Sequence, residues 1–448
     1  ALSTAFPLLL FGLIAPAMRE NVPKGYTMND FIMARLGPIN ATLFTLVMLF
    51  YMSLYLTAEL ASAGTLAAGL TKIHVMEQFW GDPNDTTDNV FGGMALSPIL
   101  GVSLVTLVYT TLGGLPVSIL TDRIQGAGIF LLTLVIAIAA YAMALECEMG
   151  VTSTNTTTCV AGWDAGRFSD VAGHGVHPNY VPTNYGNSIA VAISLVMGVT
   201  CANMFHAGYW QRVWAAESSA TVKTATYIAS VMSLVVMLLV GVTGWIAYAQ
   251  FGSNLILPGV FDVTFLSAPW LVNTFMGEGW AVLMLIFGIA MIASTADTLQ
   301  SGMTALLWPA ANYVFDSHHE KTKVLAVVVT MVLLNVGPVI IALSGQSILQ
   351  LFLLADLVAA CAVAPLFLAL WERTHPVATV IGVLVGVATV MIVYAVADEW
   401  GEGLEMLVDK QGGIFNRSAT YAFCLTPFFS GLATVLVSLC FWKMRDYK

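Results

Sequence analysis

Long apolar segments recur along this chain from one end to the other, and that recurrence decides what it can fold into. The hydrocarbon core of a bilayer is about 30 Å thick, so a crossing helix needs about 20 mostly apolar residues. Such runs occupy roughly residues 2–18, 38–70, 95–117, 119–145, 186–208, 224–250, 279–312, 323–343, 347–371, 376–397 and 419–442. Hydrophobic residues make up 58% of the 448 and charged residues only 9%, against roughly 25% charged in a soluble domain. So few charges cannot cover a water-facing surface, and lipid must serve as part of the solvent. Within lipid every backbone polar group needs an internal partner, which leaves helices or closed barrels. The length of the runs selects helices. The expectation is an all-α polytopic membrane protein, a single transmembrane domain over 1–448 with roughly ten or eleven helices. The segments 38–70 and 279–312 exceed one membrane thickness, which predicts tilt or extension beyond the bilayer.

The formal charge of −10 matters less than its placement. No Lys/Arg-rich run exists, so nucleic-acid binding has no support. If the first segment runs from outside to inside, every basic residue except Lys72, Arg167, Lys410 and Arg417 falls in an inner loop or the tail, as the positive-inside bias requires. The outer loops are acidic, with Asp82, Asp85 and Asp88 in one and Asp398, Glu399, Glu402, Glu405 and Asp409 in another. Glycosylation sequons at Asn84, Asn155 and Asn416 all fall in outer loops under this orientation. A fourth, at Asn40, begins a helix at the inner face and is expected to stay unmodified. These signals predict a multi-pass protein of a eukaryotic plasma membrane, glycosylated outside. Cys147 and Cys159 share the long outer loop, where oxidation is permitted. A disulfide between them is one expectation and two free thiols the other. The chain opens at Ala1 inside an apolar stretch, without an initiator Met or a signal-peptide n-region. That predicts an N-terminus from which one or more helices are missing.

Three acids lie within the apolar runs: Glu59, Asp297 and Asp356. A carboxylate at mid-bilayer costs a few kcal/mol or more, so each is expected to face a partner or a wet cavity. At about 100° per residue, Met291, Ser294, Thr295, Thr298 and Ser301 share one helix face, with Asp297 one step round. Such a stripe offers the hard oxygens that a dehydrated Na⁺ wants. The alternative is that the hydroxyls bond back to carbonyls of their own helix. Over 186–215, Asn187, Ser194, Thr200, Asn203, His206, Gln211 and Arg212 interrupt the apolar pattern, with Gly198 and Gly208 loosening the helix. Polar, glycine-interrupted segments at mid-depth mark binding sites in secondary transporters. His206 reads either as a packing histidine or as a proton relay. No His/Glu metal cluster, Gly-x-Ser-x-Gly or pair of catalytic acids is present, so neither an enzyme nor a cofactor is expected.

The stretch from Tyr109 to Gln125, Tyr-Thr-Thr-Leu-Gly-Gly-Leu-Pro-Val-Ser-Ile-Leu-Thr-Asp-Arg-Ile-Gln, resembles the Tyr-Thr-x-x-Gly-Gly-Leu…Thr-Asp-x-x-Gln signature of the sodium:solute symporter family. Gln211-Arg212 followed by Ala215-Ala216 resembles that family's Gln-Arg-x-x-Ala-Ala. Ser294-Thr295-Ala-Asp297 is similar to its Ser-Ser/Thr-x-x-Ser motif. The three motifs occur in the family's order, and the resemblance covers nearly the whole chain. It implies a five-plus-five inverted-repeat transporter fold with extra helices, from which the first, broken core helix is missing. Residues 38–70 and 279–312 would then be the third helices of the two repeats. It also implies a sodium site with side-chain oxygens from Ser294 and Thr295 and a backbone carbonyl from Met291. Asp122 would sit at the inner ion exit, unless it merely caps a helix. Asp297, which replaces a hydroxyl of the motif, would be a second cation ligand or a proton carrier. Tyr209-Trp-Gln-Arg212 resembles urea permeases, whereas Ser-Thr-Ala-Asp resembles proline and pantothenate carriers.

The resulting expectation is a secondary active transporter that moves a small polar organic solute with Na⁺ as coupling ion. Its partners would be the solute, Na⁺ and the lipid bilayer. The solute pocket is placed between segments 38–70, 186–208 and 347–371, with Glu59, Asn203, His206 and Asp356 as candidate ligands. Proton coupling through Asp297, Asp356 or His206 is the nearest rival. A transporter-like solute sensor is the rival from another class.

Overall fold

A computed structural model describes residues 1–71, 96–146, 148–151, 157–160, 185–251, 278–315, 319–344, 348–397 and 417–445. The helices in chain order are α1 (Leu2–Asn21), α2 (Met28–Leu36), α3 (Pro38–Thr71), α4 (Leu96–Glu146), α5 (Tyr185–Phe205), α6 (Ala207–Ala215), α7 (Ser219–Phe251), α8 (Glu278–Val314), α9 (Glu320–Leu343), α10 (Ile348–Leu368), α11 (Pro376–Ala397) and α12 (Arg417–Arg445). Among the described residues, nine helices are long and apolar enough to cross a membrane. A short antiparallel ribbon, β1 (Glu148–Val151) with β2 (Thr157–Val160), occupies part of the segment expected to be loop. Cys159 lies in β2 opposite Met149. Cys147 and the sequons at Asn84, Asn155 and Asn416 lie outside the described residues.

Two of the expected helix boundaries move. The spans expected at 95–117 and 119–145 meet at Gly114, whose φ of 58° and ψ of −156° interrupt α4. That backbone region is essentially closed to a residue with a Cβ. Pro116 follows, restarting the second arm where its missing N–H is harmless. The span expected at 186–208 ends at Phe205, and α6 begins at Ala207 after a one-residue break at His206.

The break leaves carbonyls without helical donors in a setting where lipid offers none, and side chains supply them. Tyr51 Oη on α3 donates to the Ala202 carbonyl at 2.9 Å, and Trp210 Nε1 on α6 donates back to the Met204 carbonyl at 2.7 Å. His206 Nδ1 accepts from the Gly208 N–H at 3.1 Å, capping α6.

The helix α3 lies at the centre, packed against α2, α4, α8, α9 and α10. Its buried residues include Phe44, Met48, Tyr51, Met52, Leu56 and Leu60. The outermost helices turn apolar side chains outward: Ile228, Val231 and Leu238 on α7 and Leu325, Leu333 and Ile340 on α9 are more than half exposed. A face of that kind is matched to lipid rather than water. Asn40, the sequon expected to be silent, is buried, donates to the Leu36 and Pro376 carbonyls and accepts from Thr379. Arg35 on α2 donates to the Ala369 and Trp371 carbonyls at 2.9 and 3.0 Å, where a cation complements the C-terminal end of α10.

Candidate ion and solute site

Three elements converge on the polar face of α8. The kink at Gly114 puts Tyr109 on one arm of α4 and Ser118, Thr121 and Asp122 on the other, all directed at α8. Asp297 of α8 has no exposed surface. Its Oδ2 accepts from Tyr109 Oη at 2.7 Å and Thr121 Oγ1 at 2.9 Å, and its Oδ1 accepts from Ser118 Oγ at 3.0 Å. Thr298 Oγ1 lies 3.3 Å from Oδ1, but it is closer to the Ser294 carbonyl, at 2.9 Å. The single hydroxyl proton favours the nearer acceptor.

One turn towards the N-terminus of α8, Ser294 Oγ donates to Asp122 Oδ1 at 2.9 Å. The other oxygen of Asp122 is ion-paired with Arg212 of α6. The same guanidinium reaches Thr298 Oγ1 at 2.9 Å, Ser118 Oγ at 3.2 Å and the Gly208 carbonyl at 3.0 Å. Asp122 therefore does not act as a helix cap. It joins the second arm of α4 to α6 and α8. Gln211 Oε1 adds a further link by accepting from Ser301 Oγ at 3.2 Å. This close approach of α6 and α8 depends on two glycines. A Cβ on Gly208 would stand 2.6 Å from the Thr298 carbonyl, and one on Gly302 2.7 Å from the Gly208 nitrogen.

Thr295, the other motif residue, points away from Asp122. Its hydroxyl donates to the Met291 carbonyl of its own helix at 3.4 Å and faces Glu59 of α3. Ser294, Thr295, Met291 and Glu59 are all partly exposed. Asp356 of α10 takes the hydroxyl of Tyr55 at 2.8 Å on Oδ1. The solute candidates thus do not form one cluster of direct contacts. Asp356 lies against α3 and Gly198 of α5, Glu59 lies against α8, and Asn203 donates to the Val199 carbonyl of its own helix at 2.9 Å. His206 stacks on Tyr209, with centroids 4.4 Å apart and planes 18° apart, and meets Tyr51 edge-on at 6.2 Å. Sequence reasoning passed over Tyr51 and Tyr55, although Tyr51, Tyr55 and Glu59 recur every four residues on one face of α3. It also passed over Ser118 and Thr121, which lie inside a motif already singled out.

Nine apolar spans among the described residues, a broken helix whose carbonyls are held by side chains, and acids held by hydroxyls between the helices define a polytopic helical membrane fold. The chain is 24% identical over 367 residues to a spermidine transporter of Candida albicans, covering 82% of this chain and 60% of that protein. It is 26% identical over 297 residues to a sodium/glucose cotransporter of Vibrio parahaemolyticus, covering 64% of this chain and 49% of that one. In fold it is similar to a substrate-bound, outward-open Na⁺-coupled sialic acid symporter, with a TM-score of 0.65, 14% identity, and coverage of 98% of this chain and 83% of that one. No family model matches the chain. These similarities agree with the resemblance to sodium:solute symporters, and the relatives are transporters rather than enzymes. The chain spans 60% and 49% of the length of the two sequence relatives.

Proposed function

We propose that the protein is a secondary active transporter that couples Na⁺ entry to symport of a small polar organic solute. The observation that carries this reading is the concentration of oxygen ligands on one turn of α8. Ser294 and Thr295 lie there side by side, Ser294 donating to Asp122 of α4 and Thr295 to the Met291 carbonyl at 3.4 Å, with Glu59 of α3 beside Thr295. A dehydrated alkali cation needs hard oxygens that replace its water, and one turn of α8 presents Ser294, Thr295 and the Met291 carbonyl together. In this reading Asp122, tied to Arg212, marks the inner exit, and Asp297 is a second cation site. Na⁺ occupancy stabilises the outward-open state, the solute enters between α3, α5 and α10, and the inward gradient and potential supply about 2.3 kcal/mol per charge per 100 mV.

Proton coupling is the second reading, and Asp297 favours it. A wholly buried carboxylate ringed by hydroxyls and without a basic partner among the described residues is also a suitable place to carry a proton. Uptake into proteoliposomes at fixed pH and clamped voltage, with K⁺ replacing Na⁺, separates the two. Sodium coupling requires uptake to collapse; undiminished uptake leaves the proton. The setting proposed for this activity is a eukaryotic plasma membrane, with Asn84, Asn155 and Asn416 outside. The two sequence relatives handle a polyamine and a sugar, so similarity alone does not choose the solute.

A further inference from the structure

The two arms of α4 are held in different ways. The first buries Ile99, Val102, Ser103, Thr106, Leu107 and Thr110, so it belongs to the core. Between residues 116 and 139 the second arm buries only Ser118, Thr133 and Ile136, while Leu120, Ile124, Leu131 and Ile138 are more than half exposed. The buried hydroxyl of Thr133 finds no hydrogen-bond partner among the described residues. A segment with so little buried apolar surface stands at the low-stability end of a fold. The join between the arms is also built to bend. Gly114 takes a φ of 58°, and Pro116 has no N–H to offer the Leu112 carbonyl four residues back, so the helical ladder is interrupted there.

What fastens the second arm is polar. Asp297 Oδ2 accepts from Tyr109 of the first arm and Thr121 of the second, and Oδ1 accepts from Ser118 of the second. One side chain of α8 therefore ties the two arms to each other and both to α8. Asp122 adds the bonds to Arg212 and Ser294. The Thr121 bond is easily exchanged. Its hydroxyl has a single proton, and the Ser118 and Val117 carbonyls of its own arm lie 2.9 and 3.0 Å from the same oxygen. A carboxylate holds that proton through a charge-assisted bond. When the carboxylate is otherwise engaged, the hydroxyl has a partner ready inside its own arm, so parting from Asp297 strands no donor in the membrane. Tyr109 remains with Asp297 and keeps the first arm on α8.

Resting on the transporter reading, we propose that the second arm of α4 is a lever and that Asp297 is its latch. Closed, the latch keeps Asp122 against Ser294 and Arg212. Open, the arm turns about Gly114 while the first arm stays in the core, and it carries Asp122, the proposed exit carboxylate, away from Ser294. Ser118 and Thr121 are the positioning residues of the latch, since they act on the ion site only through Asp297 and the arm.

Pulsed electron resonance on the intact protein in lipid nanodiscs tests the lever. Noncanonical residues carrying spin labels replace Leu104 on the first arm and Leu131 on the second, both exposed. A second pair, at Leu104 and the exposed Leu333 of α9, is the fixed reference. A rotation of about 15° moves position 131, about 25 Å along the arm from Gly114, by roughly 6 Å. The expected result is that Asp297→Asn, and separately the double variant Ser118→Ala with Thr121→Val, shift or broaden the 104–131 distance by that amount. The 104–333 distance stays at its wild-type value. The double variant leaves Asp297 untouched and carries the test if the amide variant does not fold. An unchanged 104–131 distance in the folded variants, or an equal change in both pairs, overturns the proposal. Failure of both variants to fold overturns it too, because these bonds are then a fixed anchor rather than a latch. Sodium-dependent uptake into proteoliposomes separates the lever from the transport reading. A lever that swings in a protein without uptake refutes transport alone; uptake with a 104–131 distance that no variant alters refutes this proposal alone.

Discussion

Arg212 on α6 and Asp122 on the second arm of α4 form an ion pair, and Ser294 of α8 donates to the remaining oxygen of Asp122. Three segments far apart in sequence therefore meet through one carboxylate. Both charged side chains are three-quarters buried, so removing one leaves the other short of a partner in a poorly solvated place. Asp122→Asn is expected to lower unfolding stability in detergent by about 2–3 kcal/mol. The double variant with Arg212→Gln should lose less than the sum of the two single losses, by about 1–3 kcal/mol. Additive losses in a double-mutant cycle would show that the pair does not couple the helices.

Replacing Ser294 and Thr295 together with Ala removes both side-chain oxygens of the proposed sodium site while leaving α8 a good helix. The apparent Na⁺ constant for uptake should rise at least about tenfold, equivalent to roughly 1.4 kcal/mol. A sodium titration of uptake that superimposes on the wild type removes these residues from the site.

Asp297→Asn places an amide among hydroxyls that now donate to a carboxylate. One of the two oxygens becomes an NH₂ group facing donors, which costs about 1–3 kcal/mol for the unmatched buried group. Unfolding midpoints should fall accordingly, and uptake should drop severalfold beyond what the stability loss explains. Wild-type values of both would show that Asp297 contributes to neither packing nor coupling.

Gly208→Ala and Gly302→Ala each force a methyl group to within 2.6 or 2.7 Å of backbone atoms across the α6–α8 contact. Overpacking of this kind costs about 1–3 kcal/mol, and the helices must separate where Arg212 reaches Thr298. Gly101→Ala on α4 is the control: nothing stands within 4 Å of its Cβ position, and helix propensity gains up to about 1 kcal/mol. Thermal unfolding of the three variants should rank them in opposite directions.

Gly114→Ala puts a side chain on a residue held at a φ of 58°. The strain, about 1–3 kcal/mol, falls on the hinge that aims Tyr109, Ser118 and Thr121 at Asp297. Uptake should therefore suffer together with stability; a variant with normal uptake and a normal midpoint would mean that the hinge tolerates a straighter backbone.

Much of this architecture was legible along the chain. The long apolar runs at 38–70 and 279–312 correspond to α3 and α8, because apolar run length is a local property. The oxygen stripe on α8 was likewise visible from helical periodicity. Periodicity orients residues only about their own axis, however. It put Ser294, Thr295 and Thr298 on one face, but the structure sends Ser294 to α4, Thr295 to α3 and Thr298 to α6.

By itself the amino-acid sequence determined residence in the bilayer and helical class, since both follow from counting apolar and charged residues along one dimension. Only the tertiary structure decided where α5 breaks, which carboxylate meets Arg212, and which acids are left facing tyrosines rather than a base. Those outcomes depend on which helix lies opposite, and that is set by the mutual packing of all the helices.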